Sequence, residues 1–599
     1  MLLYRADGSG PLGKGAAVDD GADGLQLQAQ SKVSFDTYFN CFYEVVWHDH
    51  TEVREIVLEA ETEGPLKLSV FRSGLSQVRQ PVATSSAEDG RKLHRLRIPA
   101  TSKALRGRLH LEVEATGTGP AHLIGARWTS PRAALRQPKL TVAMCTFNKP
   151  QAVAGNVAAV LDAVGGEDWF HEMIVVDQGT NKVADQPQLK SSIAHDGNYQ
   201  KLRIVEQGNF GGAGGFGRGM MEALAEGSVT HVTLMDDDVE VEPRVLARLY
   251  GFLCFVRKDV IVGGQMFDMY SPLTMRTFAE AANYRRLAYF HVGPHDVDFG
   301  QPYFTGLLEG AVKPTYNGWW LCTYPRTLIE EHGLPLPVFV RCDDSEYSTR
   351  MTSQGVNLVS LPGFMVWHEP FHAKIVAWMM YYETRNFLLM SVLRSGPHRS
   401  KTMVILLARI WTFAARGLYD HSEALLKALE TFLDGPGWLA EDPRERHVAL
   451  TRDLKALAPQ TLPAGERPGF VLDPWADQRL RGGRMRRFAR SLHHHLIAAP
   501  DTVDASAPVE TIPMHALIWP MLNGRHVMGV YNPHTNQSFV LRINRKRARE
   551  HLRRALALVG RWSRIRKQLA LDYTAAASDA STEAAWLRYL GIDPGHHGR

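Results

Sequence analysis

The 599-residue sequence predicts a multidomain α/β protein, with an antiparallel β-sandwich or barrel in front and a mostly helical region behind. Three observations predict it. Residues 1–138 read as short strands broken by Gly, Pro and Asp turns. Residues 139–370 alternate apolar strands with helical stretches and set polar residues at the carboxyl ends of the strands, as open α/β sheets do where they bind ligands. Residues 371–599 carry helical spacing of apolar residues and a late β-hairpin.

The front elements are FDTYFNCFYEVVWHD, REIVLEAE, LKLSVFRS, RKLHRLRIP, GRLHLEVEA and HLIGARWTS, whose alternation packs one sheet face and wets the other. The central elements are the strand LTVAMCTFN, the helix QAVAGNVAAVLDAVG and the strands HEMIVVDQG and KLRIVEQGN. A Gly-rich loop, a helix through MMEALAEG and the strand HVTLMDDD follow. The rear begins with helices in IVAWMMYYETRNFLLMSVL, TMVILLARIWTFAARGLY and SEALLKALETFLDG. A linker rich in Pro, Gly and Arg runs from about Pro459 to Arg484, and HALIWPML, RHVMGVYNP and QSFVLRIN read as short strands near the end. No internal repeat is visible.

With 45% hydrophobic and 22% charged residues, the chain is a soluble globular type too long for one core. Its five cysteines form no CxxC pair, which argues against a zinc cluster or disulfide framework and for a reducing compartment. The first ten residues are too polar for a signal peptide, and the most apolar run, 403–415, contains Arg409 and is too short to span a bilayer, so a cytoplasmic or peripheral protein is expected. The net charge of +5 is small but uneven: five arginines fall within 481–490, and eleven basic residues against the single acid Glu550 fall within 541–570.

Asp236, Asp237 and Asp238 directly follow the apolar strand VTLM, where alternate carboxylates can face one hard divalent cation and a diphosphate. Alone, such a triplet is as easily a solvated turn. The run QGNFGGAGGFGRG, 207–219, lets backbone approach a ligand but lacks the lysine and hydroxyl of a phosphate loop and fails the GxGxxG spacing. Trp319 and Trp320, in YNGWW, offer apolar faces to a sugar ring, although core packing is the default for at least one. Asp344 stands 24 residues after Trp320, and His368 another 24 on. Asp344 is a candidate general base for a sugar hydroxyl, with Asp343 and Glu346 as competitors, and neutral His368 a candidate nitrogen ligand.

Over 141–368 the chain resembles the inverting nucleotide-sugar glycosyltransferases of the GT-A fold, and more closely the bacterial cell-wall galactan galactofuranosyltransferases of mycobacterial type. The resemblance lies in CTFNKP, VVDQG, GNFGGAGGF, MDDDVEVEP, VGGQM, YNGWW, PLPVFVRCDD and WH, in that order and spacing. It extends to the front β domain through TYFNCF and to the helical rear. It implies a central GT-A (Rossmann-like) domain over 139–370, between an N-terminal β domain, 1–138, and a C-terminal region, 371–599.

Carried over by position, the resemblance implies that Asp236, Asp238 and His368 hold a divalent cation, Mn²⁺ or Mg²⁺, on the UDP diphosphate and that Asp344 is the catalytic base. Lys149, Gln178, Asn209, Asp237 and Asp343 join the donor site, and Trp319 and Trp320 the sugar pocket. Lys149 replaces a family arginine, keeping the charge and losing the fork. Phe371 and Cys342 replace family tryptophans, which bears on acceptor identity. The implied reaction is direct, inverting transfer of galactofuranose from UDP-galactofuranose to a growing polyprenyl-diphosphate-linked galactan.

The implied setting is the inner face of the plasma membrane, where helical segments at 484–490 and 545–554 suit an anionic surface, with Phe488 and Leu492 on the apolar side. The resembled family forms a homotetramer, so a homo-oligomer is expected. Two other readings are a GT-A enzyme with a different nucleotide sugar and a non-catalytic glycan-binding or scaffolding protein. Nucleic acid is not an expected partner, because the basic runs lack aromatic interleaving.

Overall fold

The computed structural model describes residues 16–18, 24–74, 77–99, 101, 106–242, 244–300, 302–310, 312–369, 376–396, 401–463, 465–466, 469–471, 483–498, 509–523, 525–532 and 536–593. Phe371, Pro243, Arg481 and most of the 459–484 linker lie outside them. The multidomain α/β class expected from the sequence is the architecture found.

In front, two antiparallel sheets face each other as a sandwich, not a closed barrel. One has the order Ala16–Val18, Leu25–Leu27, Ala121–Thr129, Ile56–Glu63, Arg91–Ile98; the other has Lys32–Ser34, Arg108–Ala115, Leu66–Gly74, Gln77–Ser86, with Phe42–Tyr43 also on Arg108–Ala115. Alternate residues such as Leu66, Leu68, Val70, Leu109, Leu111 and Val113 fill the space between. The segment EVVWHDH, read as strand, is instead the helix Glu44–His50. Its first residue is held by tertiary bonds: Glu44 accepts from Arg72 Nε and Nη2, both at 2.9 Å, and from the Gly107 N–H.

The central sheet begins with four parallel strands in the order Leu202–Glu206, Phe170–Asp177, Leu140–Thr146, His231–Met235. It continues antiparallel through Leu321–Pro325, Val260–Asp268, Thr274–Thr277 and His295–Asp298. Burial follows the period of two. Leu140, Val142, Met144, Met173 and Val175 meet the helices Pro150–Val164 and Val245–Leu253, while Ala143, Cys145, Ile174 and Val176 meet Gly211–Ala225 on the other face.

The glycine run read as a loop is therefore helical from Gly211 onward. Glycine costs about 1 kcal/mol relative to Ala inside a helix, and close packing explains it here. A Cβ on Gly214, Gly215 or Gly219 would lie 2.2 Å from Phe210 Cβ, 2.3 Å from Cys145 Cβ and 2.9 Å from Ala143 Cβ, respectively. On Gly217 it would lie 2.5 Å from the ring of Trp586, which arrives from the helix Glu583–Leu590 and donates its N–H to Pro335 O.

Behind, the helices Ala377–Ser395, Lys401–Ala415, Tyr419–Leu433 and Arg545–Ala580 share one apolar core. Val527–Asn532 and Gln537–Arg542 form the expected hairpin within a five-stranded sheet, whereas HALIWPML makes 3-10 turns, Met514–Ala516 and Trp519–Leu522, not a strand. All five cysteines are free and buried.

Candidate active site

Each of the four parallel strands delivers a site residue from its carboxyl end: Lys149 after Leu140–Thr146, Gln178 after Phe170–Asp177, Asn209 after Leu202–Glu206, and the aspartates after His231–Met235. This is the edge at which an open α/β sheet binds its ligand.

His368 reaches the same place by register. It ends the strand Asn357–His368, which pairs antiparallel with Val239–Val241 so that His368 lies opposite Val239. Its Nε2 sits 3.1 Å from Asp238 Oδ1. Asp236, Asp238 and His368 each offer one ligand atom, all within 4.8 Å of one another. Two carboxylate oxygens and an imidazole nitrogen suit a divalent cation of the Mn²⁺ or Mg²⁺ kind.

The charges fit. Burial and the charges of Asp238 and Asp237 push the Asp236 carboxyl up to about 7. Burial alone would also raise Asp238, but its hydrogen bonds and charge contacts with His368 and Lys149 outweigh that and hold it well below the usual range. Burial opposes a charged His368, yet Asp238 and Asp236 together raise its pKa. Asp237 is buried and turned inward, accepting from the Thr146 hydroxyl at 2.7 Å and from Lys149 Nζ at 3.1 Å; Lys149 also reaches Asp238 Oδ2 at 2.9 Å. Lys149 follows Asn148, whose φ of 58° is left-handed and whose Oδ1 accepts from the Thr180 and Asn181 N–H groups.

Gln178 and Asn209 pin the entrance of the glycine helix. Gln178 Oε1 accepts from the Phe210 N–H at 2.9 Å and its Nε2 donates to Gly211 O at 2.9 Å, while Asn209 Oδ1 accepts from the Gly211 N–H at 3.0 Å. Asp343 faces the same turn, since a Cβ on Gly212 would lie 3.0 Å from Asp343 Oδ2.

Asp343 and Asp344 open the helix Asp343–Thr352 after a contorted approach: Phe339, Arg341 and Cys342 all have φ between 65° and 73°. Such backbone costs on the order of 1–3 kcal/mol per residue and clusters at functional sites. Burial pushes both carboxyls up to about 7; at Asp344 the Ser345 N–H and the Arg341 charge pull down while Glu280 pushes up. Glu280, itself raised to about 7 by burial, comes from the short strand Glu280–Asn283 and carries no motif that sequence reasoning could have used. Glu346 is held differently from Asp344. It is 1% exposed and bound by Arg350 through Nε and Nη2, at 3.0 and 2.5 Å.

Trp319 and Trp320 lead into Leu321–Pro325, and the Trp320 carbonyl meets the Asp236 N–H at 3.4 Å. Both indoles are buried with satisfied N–H groups, Trp319 to Tyr324 Oη and Trp320 to Gly264 O, so only ring faces remain to offer a sugar.

Residues 141–313 match Glycosyl transferase family 2, and residues 14–131 match the Galactofuranosyltransferase 2 N-terminal family. The chain is 30% identical over 429 residues to the galactofuranosyltransferase GlfT2 of Mycolicibacterium smegmatis, a stretch covering 69% of this chain and 65% of that protein. It is 30% identical over 432 residues to GlfT2 of Mycobacterium tuberculosis, covering 69% of this chain and 67% of that one. The matched stretch thus spans about two thirds of these relatives' length. A solved structure of GalNAc-T7 with UDP, GalNAc and Mn²⁺ covers 55% of this chain and 56% of its own at 13% identity with a TM-score of 0.34, too loose a likeness to bear on the site.

Proposed function

Because this chain belongs to the galactofuranosyltransferase family, we propose that it transfers galactofuranose from UDP-galactofuranose, with inversion, to a hydroxyl of a growing polyprenyl-diphosphate-linked galactan. The observation that carries this reading is the convergence of Asp236, Asp238 and His368 at the sheet edge that also bears Lys149, Gln178 and Asn209.

In this reading Asp236, Asp238 and His368 hold a divalent cation, Mn²⁺ or Mg²⁺, which when bound supplies neutralising charge to the donor diphosphate. Lys149 adds a fixed positive charge beside it. Gln178 and Asn209 act by fixing the helix entrance against which the donor lies, with Asp237 anchoring Lys149 and Asp343 closing the far side. Trp319 and Trp320 give ring faces to the sugar. Asp344 accepts the proton of the acceptor hydroxyl as that oxygen attacks the anomeric carbon and UDP departs. One displacement inverts the centre.

The acceptor's lipid makes a membrane surface the natural setting. No helix among the described residues is long and apolar enough to cross a membrane. The helix Arg484–His493 instead exposes Met485 (87%) and Phe488 (45%) beside Arg486 and Arg490, a combination suited to lying on the anionic inner face.

The test is UDP release from the purified protein with a panel of UDP-sugars, Mn²⁺ or Mg²⁺ and a galactofuranosyl lipid acceptor. Turnover with UDP-galactofuranose alone, lost in Asp344→Ala, is the expected result. Turnover with another sugar instead rejects the donor assignment.

A further inference from the structure

A cavity of about 380 Å³ lies between the β-sandwich and the helix Val245–Leu253, within the size range of small-ligand sites. It is separate from the acidic triplet yet connected to it. Asp238, Glu240 and Glu242 alternate along and beside the strand Val239–Val241 and so share one face, on which Glu240 is exposed. Glu242 lines the cavity, and at ~3.3 Å per residue it lies about 13 Å along the chain from Asp238.

The walls are aromatic. Trp47, Trp128 and Phe255 line the cavity and keep partial exposure, and Phe42 fixes two of them, stacking on Trp47 at 5.1 Å and meeting Trp128 at 5.9 Å. The Trp128 N–H is spent on Asn40 O at 3.1 Å, which orients the indole. The polar part is unfinished. Glu242 Oε2 accepts from the Arg244 N–H at 3.1 Å, but Oε1 is buried with no hydrogen-bond partner among the described residues.

These groups make two separate demands. Aromatic faces take apolar C–H surface, and a buried carboxylate oxygen takes a hydroxyl or N–H donor. A polyprenyl tail leaves the carboxylate oxygen unpaired, which is costly. Arg127, Arg244 and Arg248 also line the cavity, but an anion drawn to them brings its charge against the Glu242 carboxylate and leaves Oε1 without a donor. A neutral sugar ring answers both demands at once, with C–H faces and hydroxyls that donate.

We propose that this cavity is a glycan subsite, distinct from the transfer site, which takes a neutral sugar residue of a chain already built. The inference rests on the galactofuranosyltransferase reading only for the identity of that glycan. It gives the β-sandwich a share in acceptor binding and links subsite to transfer site along the open face of Val239–Val241.

The experiment is calorimetric titration of the full-length protein with a synthetic galactofuranosyl hexasaccharide, in wild type, Glu242→Gln and Ala247→Trp. Ala247 is exposed and lines the cavity, so a tryptophan there fills the space without removing core packing. Melting curves confirm that each variant folds. The expected result is binding by wild type and weakening of about tenfold or more in both variants. The advantage in KM of the hexasaccharide over a disaccharide acceptor then disappears in Ala247→Trp. No hexasaccharide binding by wild type, or equal affinity in wild type and Ala247→Trp, overturns the subsite. Binding that Ala247→Trp abolishes in a protein inert toward UDP-galactofuranose keeps the subsite and rejects the donor; galactofuranose turnover with binding unmoved by Ala247→Trp does the reverse.

Discussion

Replacing Glu346 by Gln separates the two roles open to the acidic cluster at the start of Asp343–Thr352. Glu346 and Arg350 form a buried pair, with side chains 1% and 10% exposed, one helical turn apart. Arg350 Nη1 also donates to His332 O and Leu334 O, both at 2.9 Å, tying the helix to the loop before it. In Glu346→Gln the guanidinium keeps those two acceptors and loses its counter-charge, as does Arg394, which lies 3.4 Å from Glu346 Oε1. Breaking a buried pair from one side costs about 3–5 kcal/mol, and the retained carbonyls put this case near the lower end. For a unit the size of the catalytic sheet with its helices that is a fall in Tm on the order of 10 °C.

The pH dependence has a defined sign. Burial would raise the Glu346 pKa, but Arg350 and Arg394 outweigh it and leave it lowered. Its contribution is therefore fully present above the unfolded glutamate value of about 4.3 and is lost as pH falls through the folded value. Scanning fluorimetry from pH 8 to pH 2 should show a constant gap between wild type and Glu346→Gln down to about pH 5, which narrows only below the unfolded value of about 4.3. A variant of wild-type Tm that is as inactive as Asp344→Asn refutes the reasoning and returns Glu346 to the chemistry.

Other outcomes follow from the same geometry. With Asp344 at about 7 and acting as the proposed base, kcat/KM should fall roughly tenfold per unit below pH 7, and Glu280→Gln, which removes a charge that raises Asp344, should move that limb to lower pH in a pH–rate profile. Gly211→Ala puts a Cβ 2.2 Å from Phe339 O at a φ of +71°, so it should cost about 1–3 kcal/mol by thermal unfolding and lower turnover through the displaced approach to Asp344. Arg486→Glu with Arg490→Glu should reduce binding to anionic vesicles at least tenfold in co-sedimentation, at about 1 kcal/mol per basic residue, and leave binding to neutral vesicles unchanged.

Leu140–Thr146, Phe170–Asp177 and His231–Met235 were legible because their apolar runs are largely buried, while Leu202–Glu206 is only partly buried; the strand-end pattern located the aspartates, and the motif resemblance supplied Lys149 and Gln178. What was illegible depended on partners far away in the chain. EVVWHDH has strand composition, yet Arg72 and Gly107 fix its first residue at a helix start. Gly211–Ala225 has the composition of a loop and is helical because Cys145, Ala143 and Trp586 leave no room for side chains. QVRQPVATSS carries a proline and few apolar residues, and forms Gln77–Ser86 because an edge strand tolerates both. At the site, the motif order supplied Asp344 and His368, but the pairing of His368 with Asp238 is a matter of register, and Glu280 became visible only when its strand was folded beside Asp344.

The indole of Trp586 seated on Gly217 has a consequence for how the molecule is made. The glycine helix is laid down early in translation, but the wall that covers it emerges from the ribosome more than 350 residues later, and the same segment fixes the loop ahead of Asp344 through Ser581 O and the Leu334 N–H. Until residue 586 has been made, the face of Gly217 that the indole covers stays open and the Leu334 N–H has no Ser581 carbonyl to meet, so these two packing contacts form only after nearly all of the α/β sheet has been synthesised.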